Sequence, residues 1–156
     1  MLPVDMYGNP QGRIIAVYGS AGLRDREKRR MMPNVSARFA DITVLTAEDP
    51  RTEPLNKILK EMADEAMEKG AVMNETLYIE PDRRNAIRKG LALALPGDIV
   101  LSLGKGHEQS MCFGTTEYLW DDRTAMHAAL CELLGKPGPA MPFLPEVESY
   151  AEPAEI

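Results

Sequence analysis

Three apolar runs that do not alternate with polar residues limit the fold most strongly. Ile14 to Tyr18, Ile42 to Thr46 and Ile99 to Leu103 are each five residues of mostly aliphatic character, closed by Gly or by charge. A strand with one wet face alternates, whereas a run of this kind is buried on both faces, as in a parallel sheet covered by helices. The shorter segment TLYIEP, residues 76–81, reads as one more strand. Helical patterns fill the intervals. Residues 25–40 predict a helix that Pro33 kinks or delays. Thr52 or Glu53 is expected to cap the next, with Pro54 in its first turn and Leu55, Ile58, Leu59, Met62, Ala66 and Met67 forming one apolar stripe up to Gly70. Asp82 opens a third, with Ile87, Leu91 and Ala94 inward, before the turn at Pro96 to Asp98. YLWDDR reads as an edge strand, and the last helix ends at Gly135. Strands and helices in this order predict an α/β fold, Rossmann-like, with a mainly parallel sheet and helices on both faces.

With 156 residues the chain suits one domain, placed at 13–135 after a leader or linker remnant at 1–12. Five prolines and several glutamates in 136–156 predict a tail that is draped or disordered. A net charge of −6 argues against a nucleic-acid partner. No apolar stretch long enough for a membrane span or a signal sequence is evident, so no membrane partner and a cytoplasmic location are expected. Cys112 and Cys131 have no zinc or disulfide spacing, and no metal site is expected.

In open α/β sheets ligands bind beyond the carboxyl ends of the strands. Three loops rich in Gly or charge fall there, at 19–29, 47–53 and 104–109. GSAGLR has two of the three glycines of a dinucleotide fingerprint, and SLGKGHE lacks the first Gly and the final Ser or Thr of a P-loop, so neither cradles a nucleotide alone. Arg24, Asp25, Lys28 and Arg29 form either an anion site at a helix start or a solvated basic face. In EDPRTE, a zwitterion fits with its ammonium on Glu48 or Asp49 and its carboxylate on Arg51; an ordinary helix-capping loop fits equally. GKGHE presents Lys105, His107 and Glu108 from a tight turn, His107 being either accessory to a site or merely solvated.

Together, GSAGLRDREKR, TAEDPRTE, DRRNAIRKGLALALPGDIVLSLGKGHEQ and DDR resemble the C-terminal domain of the Mur ligases, closest to the UDP-N-acetylmuramoyl-dipeptide branch that adds the third residue of the peptidoglycan stem. The resemblance spans about Gly12 to Gly135. It implies a domain that holds an amino acid and closes over a central ATPase domain, where ATP phosphorylates the carboxylate of a UDP-linked peptide and the amino acid's amine attacks. The family pattern G-D-R-D-x-x-K-R is GLRDREKR here, matching Arg24, Asp25, Lys28 and Arg29 and departing at Leu23. D-N-P-R, which grips diaminopimelate, is EDPR: Pro50 and Arg51 match, while Glu48 and Asp49 depart. GKGHE matches fully, which implies that Gly104 and Glu108 contact the distal end of the amino acid. The resemblance thus puts Arg24 on the substrate carboxylate and Asp25, Lys28 and Arg29 toward phosphate. Partners so implied are diaminopimelate or a lysine-like amino acid and, through domains this sequence does not contain, the UDP-muramoyl peptide. ATP and Mg²⁺ are expected only with that central domain, no cofactor being held tightly by this chain and no catalytic set being complete in it. A free-standing amino-acid-binding module or partner subunit, and a folylpolyglutamate synthase-type domain, are the alternatives.

Overall fold

The computed structural model describes residues 4–9 and 11–153. Its elements run β1 (Ile14–Tyr18), α1 (Lys28–Phe39), β2 (Ile42–Leu45), α2 (Leu55–Glu68), β3 (Leu77–Ile79), α3 (Arg83–Leu93), β4 (Ile99–Ser102), β5 (Ser110–Phe113), β6 (Thr116–Leu119) and α4 (Asp122–Leu134). Four strands form one parallel sheet in the order β3-β2-β1-β4, with Ile15 opposite Ile42, Ile14 opposite Ile99 and Thr43 opposite Leu77. The chain steps outward from β1 to β3 and then returns to β4 on the other side. Right-handed crossovers therefore put α1 and α2 on one face and α3 on the opposite one, where it packs against α4. The expected α/β architecture, with helices on both faces, is the one found.

Neighbouring residues of the central strands serve opposite cores. Ala16 and Tyr18 join Leu45 and the α2 residues Ile58, Leu59 and Met62, whereas Val17 and Val44 join Ile87, Met111, Trp120 and Ala125. Both sides of β1 and β2 are buried, which explains why their sequences do not alternate. β4 differs. It is an edge strand with partly exposed side chains, so its apolar run does not reflect burial on both faces.

Four local expectations are corrected. The basic stretch from Arg24 to Glu27 precedes α1, which starts at Lys28 and carries Pro33 inside it. Neither Thr52 nor Glu53 caps α2: Pro54 occupies that position with no side-chain bond, because the Glu53 carboxylate is drawn to Arg29. Met67, placed in the apolar stripe, is exposed. Only Tyr118 and Leu119 of YLWDDR are in a strand, the end of β6, which pairs with β5 in an antiparallel hairpin closed by Gly114 and Thr115, with Gly114 at φ 60°, while Asp122 and Arg123 already belong to α4. The end signals Asp82 and Gly135 hold, Asp82 accepting the Arg84 backbone N–H and Gly135 closing α4 in the left-handed region.

Beyond α4, residues 136–153 form no helix or strand, yet they do not hang free. Leu144 is buried in the core beside α3 and α4, and Tyr150 packs on the opposite core against the α2 side. The tail is draped across the domain; residues 1–3, 10 and 154–156 of the leader and tail lie outside the described residues.

Candidate functional site

Because β2 and β4 flank β1 and the chain leaves β1 in one direction and returns on the other, a crevice opens beyond the carboxyl ends of these strands. It is a cleft of about 770 Å³. The loop after β1 gives it Arg24, Asp25 and, at the start of α1, Lys28; the loop after β2 gives Glu48, Asp49 and Arg51; the loop after β4 gives Gly104 and Glu108. Three segments far apart in sequence thus deliver eight of the residues singled out above to one place. The hairpin adds Glu117 and Ser110, and Ser20, Ala21, Met32 and Gln109 complete the wall.

Arg29, Lys105 and His107 are not on that wall. Arg29 is buried, with Nη2 2.6 Å from Glu53 Oε2 and Nη1 2.9 Å from Glu61 Oε2. It pins α1 to α2 and does not face the cleft, so the phosphate-facing position given to it from sequence is corrected. Its neighbour Lys28 points the other way, one residue being enough on a helix to change face. Arg24 and Lys28 have no carboxylate within ion-pair distance among the described residues, which leaves two cations for an anion. His107 is exposed on its loop.

Lys105 lies beneath the wall. Its buried ammonium donates to Asp49 Oδ2 at 2.6 Å and to Glu108 Oε2 at 2.5 Å. The Cys112 backbone N–H donates to Asp49 Oδ1 at 2.8 Å. Asp49 is therefore fully engaged within the fold, while Arg51 Nη2 stands 3.8 Å from its nearer oxygen. Arg51 is held by its own Nη1, which donates to the Gly22 carbonyl at 3.0 Å, and by backbone bonds to the hairpin through the Cys112 carbonyl and the Gly114 N–H. Asp49 and Arg51 both have positive φ, 41° and 55°, an arrangement non-glycine residues adopt only when their surroundings impose it.

Glu48 is the residue left unsatisfied. Its Oε2 is buried with no hydrogen-bond partner among the described residues. Burial pushes its carboxyl above the ordinary range, partly offset by the charges of Arg83 and Lys105. Gly104 makes this position possible: a Cβ there would sit 2.1 Å from Glu48 Oε2. A cationic group entering the cleft would supply the missing partner.

Under the floor sits Arg83, from the stretch DRRNAIRKG, which carries no local signal of a role for it. Its fork reaches Asp122 Oδ1 at 2.9 Å and Oδ2 at 2.7 Å, the Ala47 carbonyl at 3.1 Å and the Leu103 carbonyl at 2.9 Å. One guanidinium thus ties together the ends of β2 and β4 and the first turn of α4.

The charge network also sets a pH dependence. Arg29, by its hydrogen bonds, holds the Glu53 carboxyl down at about 2 against an ordinary 4.5. Between these values the unfolded chain takes up a proton that the folded one refuses. Stability is therefore expected to fall as pH drops from about 4.5 toward 2, and Glu53→Gln should flatten that part of a melting-temperature profile. An unchanged slope in Glu53→Gln would assign the acid limb to other carboxylates.

Comparison with known proteins agrees with this architecture. A UDP-N-acetylmuramyl-tripeptide synthetase from Roseiflexus sp. (strain RS-1) is 48% identical over 123 residues, covering 79% of this chain and 24% of the relative. A UDP-N-acetylmuramoyl-L-alanyl-D-glutamate–2,6-diaminopimelate ligase from Synechococcus elongatus is 41% identical over 122 residues, covering 78% and 24%. A solved structure of a ligase of the latter name superposes with a TM-score of 0.70 at 29% identity, over 83% of this chain and 26% of that one. The chain spans about a quarter of the length of the relatives it matches. Residues 4–106 match the family model for the Mur ligase, glutamate ligase domain, and the chain belongs to that family.

Proposed function

We propose that this chain is the amino-acid-binding, closing domain of an ATP-dependent ligase that joins a diamino acid to a UDP-N-acetylmuramoyl dipeptide, and that it is not catalytically complete alone. The observation that carries this reading is the buried, unpartnered carboxylate oxygen of Glu48 in a cleft that also presents Arg24 and Arg51. Such a cleft suits a small zwitterion: an ammonium on Glu48, carboxylates on guanidinium forks. Glu108 adds negative charge near the same end, and Gly104 gives the room. Lys28, with no carboxylate within ion-pair distance among the described residues, fits phosphate at the rim of the cleft. When bound in the complete ligase, ATP with Mg²⁺ activates the carboxylate of the UDP-linked peptide. The part of this chain is to hold the incoming amine in place and to keep water out as the domain closes.

The choice of amino acid turns on the pair Asp49 and Arg51. An acidic residue beside Arg51 threatens to neutralise it, which would favour lysine. Instead, Lys105 lies closer to Asp49 than Arg51 does, 2.6 Å against 3.8 Å, and, although shared with Glu108, takes the shorter of the two contacts to Asp49. Arg51 keeps its cation for a second carboxylate, and diaminopimelate is the substrate this arrangement supports. Titration calorimetry with meso-diaminopimelate and lysine tests it. Diaminopimelate should bind more tightly, and Arg51→Ala should remove about 1.5–3 kcal/mol of that preference, roughly ten- to a hundredfold. Tighter binding of lysine by the unsubstituted chain would overturn the assignment.

A further inference from the structure

On the α1 side of the sheet, β4 has no helix over it. The crossovers place α1 and α2 above β1, β2 and β3, so the outer part of that face stays open. A trough of about 520 Å³ runs there between α1 and β4. Its walls are apolar: Met31, Val35 and Phe39, one stripe at i, i+4 and i+8 of α1, face Leu101 and Leu103 of the edge strand and its continuation. All five are exposed, Val35 and Phe39 at 53% and 64%. At the base lies Tyr18, itself 2% exposed, its hydroxyl enclosed on the side of Ser36. Lys28 and Met32 line both this trough and the substrate cleft, so the two are adjoining.

An amphipathic helix normally turns its apolar stripe inward. Here α1 buries Arg29, Pro33 and Ser36 toward its neighbours and turns Met31, Val35 and Phe39 out. A contiguous apolar strip on a chain of net charge −6 is a surface built to be covered. The lengths of the relatives say by what. This chain accounts for about a quarter of each, and a body that fills the trough would also bound the cleft at Lys28.

We propose that the trough between α1 and β4 is the docking surface for the remainder of a Mur-type ligase, whether joined in the same polypeptide or supplied as a partner. The docking element presents aliphatic side chains to Val35, Phe39 and Leu101. Filling the trough then seats Lys28 at the boundary between the two bodies, which couples docking to completion of the cleft.

The inference rests on the ligase reading above, but the two fail separately. Amino-acid titration reads the cleft; maleimide labelling of a cysteine in the trough reads only the docking surface. Val35→Cys is made in this chain and in a chimera, the Roseiflexus tripeptide synthetase with its matching 123 residues replaced by this chain. N-ethylmaleimide is followed by peptide mass spectrometry, which separates position 35 from Cys112 and Cys131. Labelling should be fast in the isolated chain and at least tenfold slower in the chimera. Equal rates would overturn the proposal. A second measurement needs no chimera: Val35→Glu in the isolated chain should shift the melting temperature by no more than about 2 °C, as an exposed substitution does. A drop of about 10 °C or more would mean the trough is closed by the chain's own packing, and the proposal fails. Sedimentation of the isolated chain decides the remaining case. A monomer at micromolar concentration supports docking of another body, whereas a dimer that protects Val35→Cys makes a second copy the occupant and overturns it.

Discussion

Arg83→Ala is expected to remove about 3–5 kcal/mol of folding stability, a large share of the roughly 5–15 kcal/mol available to a domain. The reason is what it leaves behind. Burial pushes the Asp122 carboxyl toward protonation, and hydrogen bonds and charge from Arg83 more than reverse this, holding it below the ordinary range. Without Arg83, Asp122 keeps only Ser102 Oγ at 2.8 Å and Trp120 Nε1 at 2.7 Å, an anion in the interior with no cation on it. The Ala47 and Leu103 carbonyls lose their guanidinium donors as well. Arg83→Lys restores the charge but not the fork, so it should recover only part of the loss. Urea denaturation of the three proteins checks this, and an Arg83→Ala variant within 1 kcal/mol of the parent would show that the network contributes far less than its geometry implies.

Gly104→Ala should have the largest effect on binding, at least a hundredfold weaker affinity for diaminopimelate in the same calorimetric experiment. Two costs combine. At φ 102° an alanine is strained by roughly 1–3 kcal/mol, and its methyl would stand 2.1 Å from Glu48 Oε2 and 2.7 Å from Cδ. The carboxylate must leave the position in which an ammonium would meet it. Adding Glu48→Ala removes the steric conflict without restoring the charge. The double variant should therefore regain part of the stability lost in Gly104→Ala, a coupling of about 0.5–3 kcal/mol, yet still fail to bind. If the double variant were no more stable than Gly104→Ala, the backbone strain alone would explain the loss.

How far the sequence discloses this molecule depends on whether the deciding interaction is local. The buried strands β1 and β2 declare themselves by their unbroken apolar runs, and Asp82 and Gly135 mark helix ends by side-chain and backbone chemistry that acts within a few residues. The three loops of the cleft were legible for a similar reason, since strand ends in an α/β sheet must lie on one side. Where each cation points was not legible. Arg24, Lys28 and Arg29 look equivalent in GLRDREKR; only the packing of α1 on α2 selects Arg29 for Glu53 and Glu61 and leaves Lys28 to the cleft. Lys105 likewise reads as a loop cation until the fold sets it against Asp49, 56 residues away. The β5–β6 hairpin did carry a local signal, Gly114 and Thr115 between two short strand-like segments. Its cleft residue Glu117 depends on the longer-range placement of that hairpin against Arg51.

Trp120 is the single tryptophan of the chain, buried in the core that also holds Val17 and Ala125, with its indole N–H on Asp122. Its ring therefore touches the same carboxylate that Arg83 holds under the cleft floor. Emission from one fluorophore, with no label attached, follows the integrity of that floor: an apolar, hydrogen-bonded indole while β2, β4 and α4 stay tied, a hydrated one when they part. The domain carries its own optical gauge, placed on the carboxylate that ties the cleft floor together.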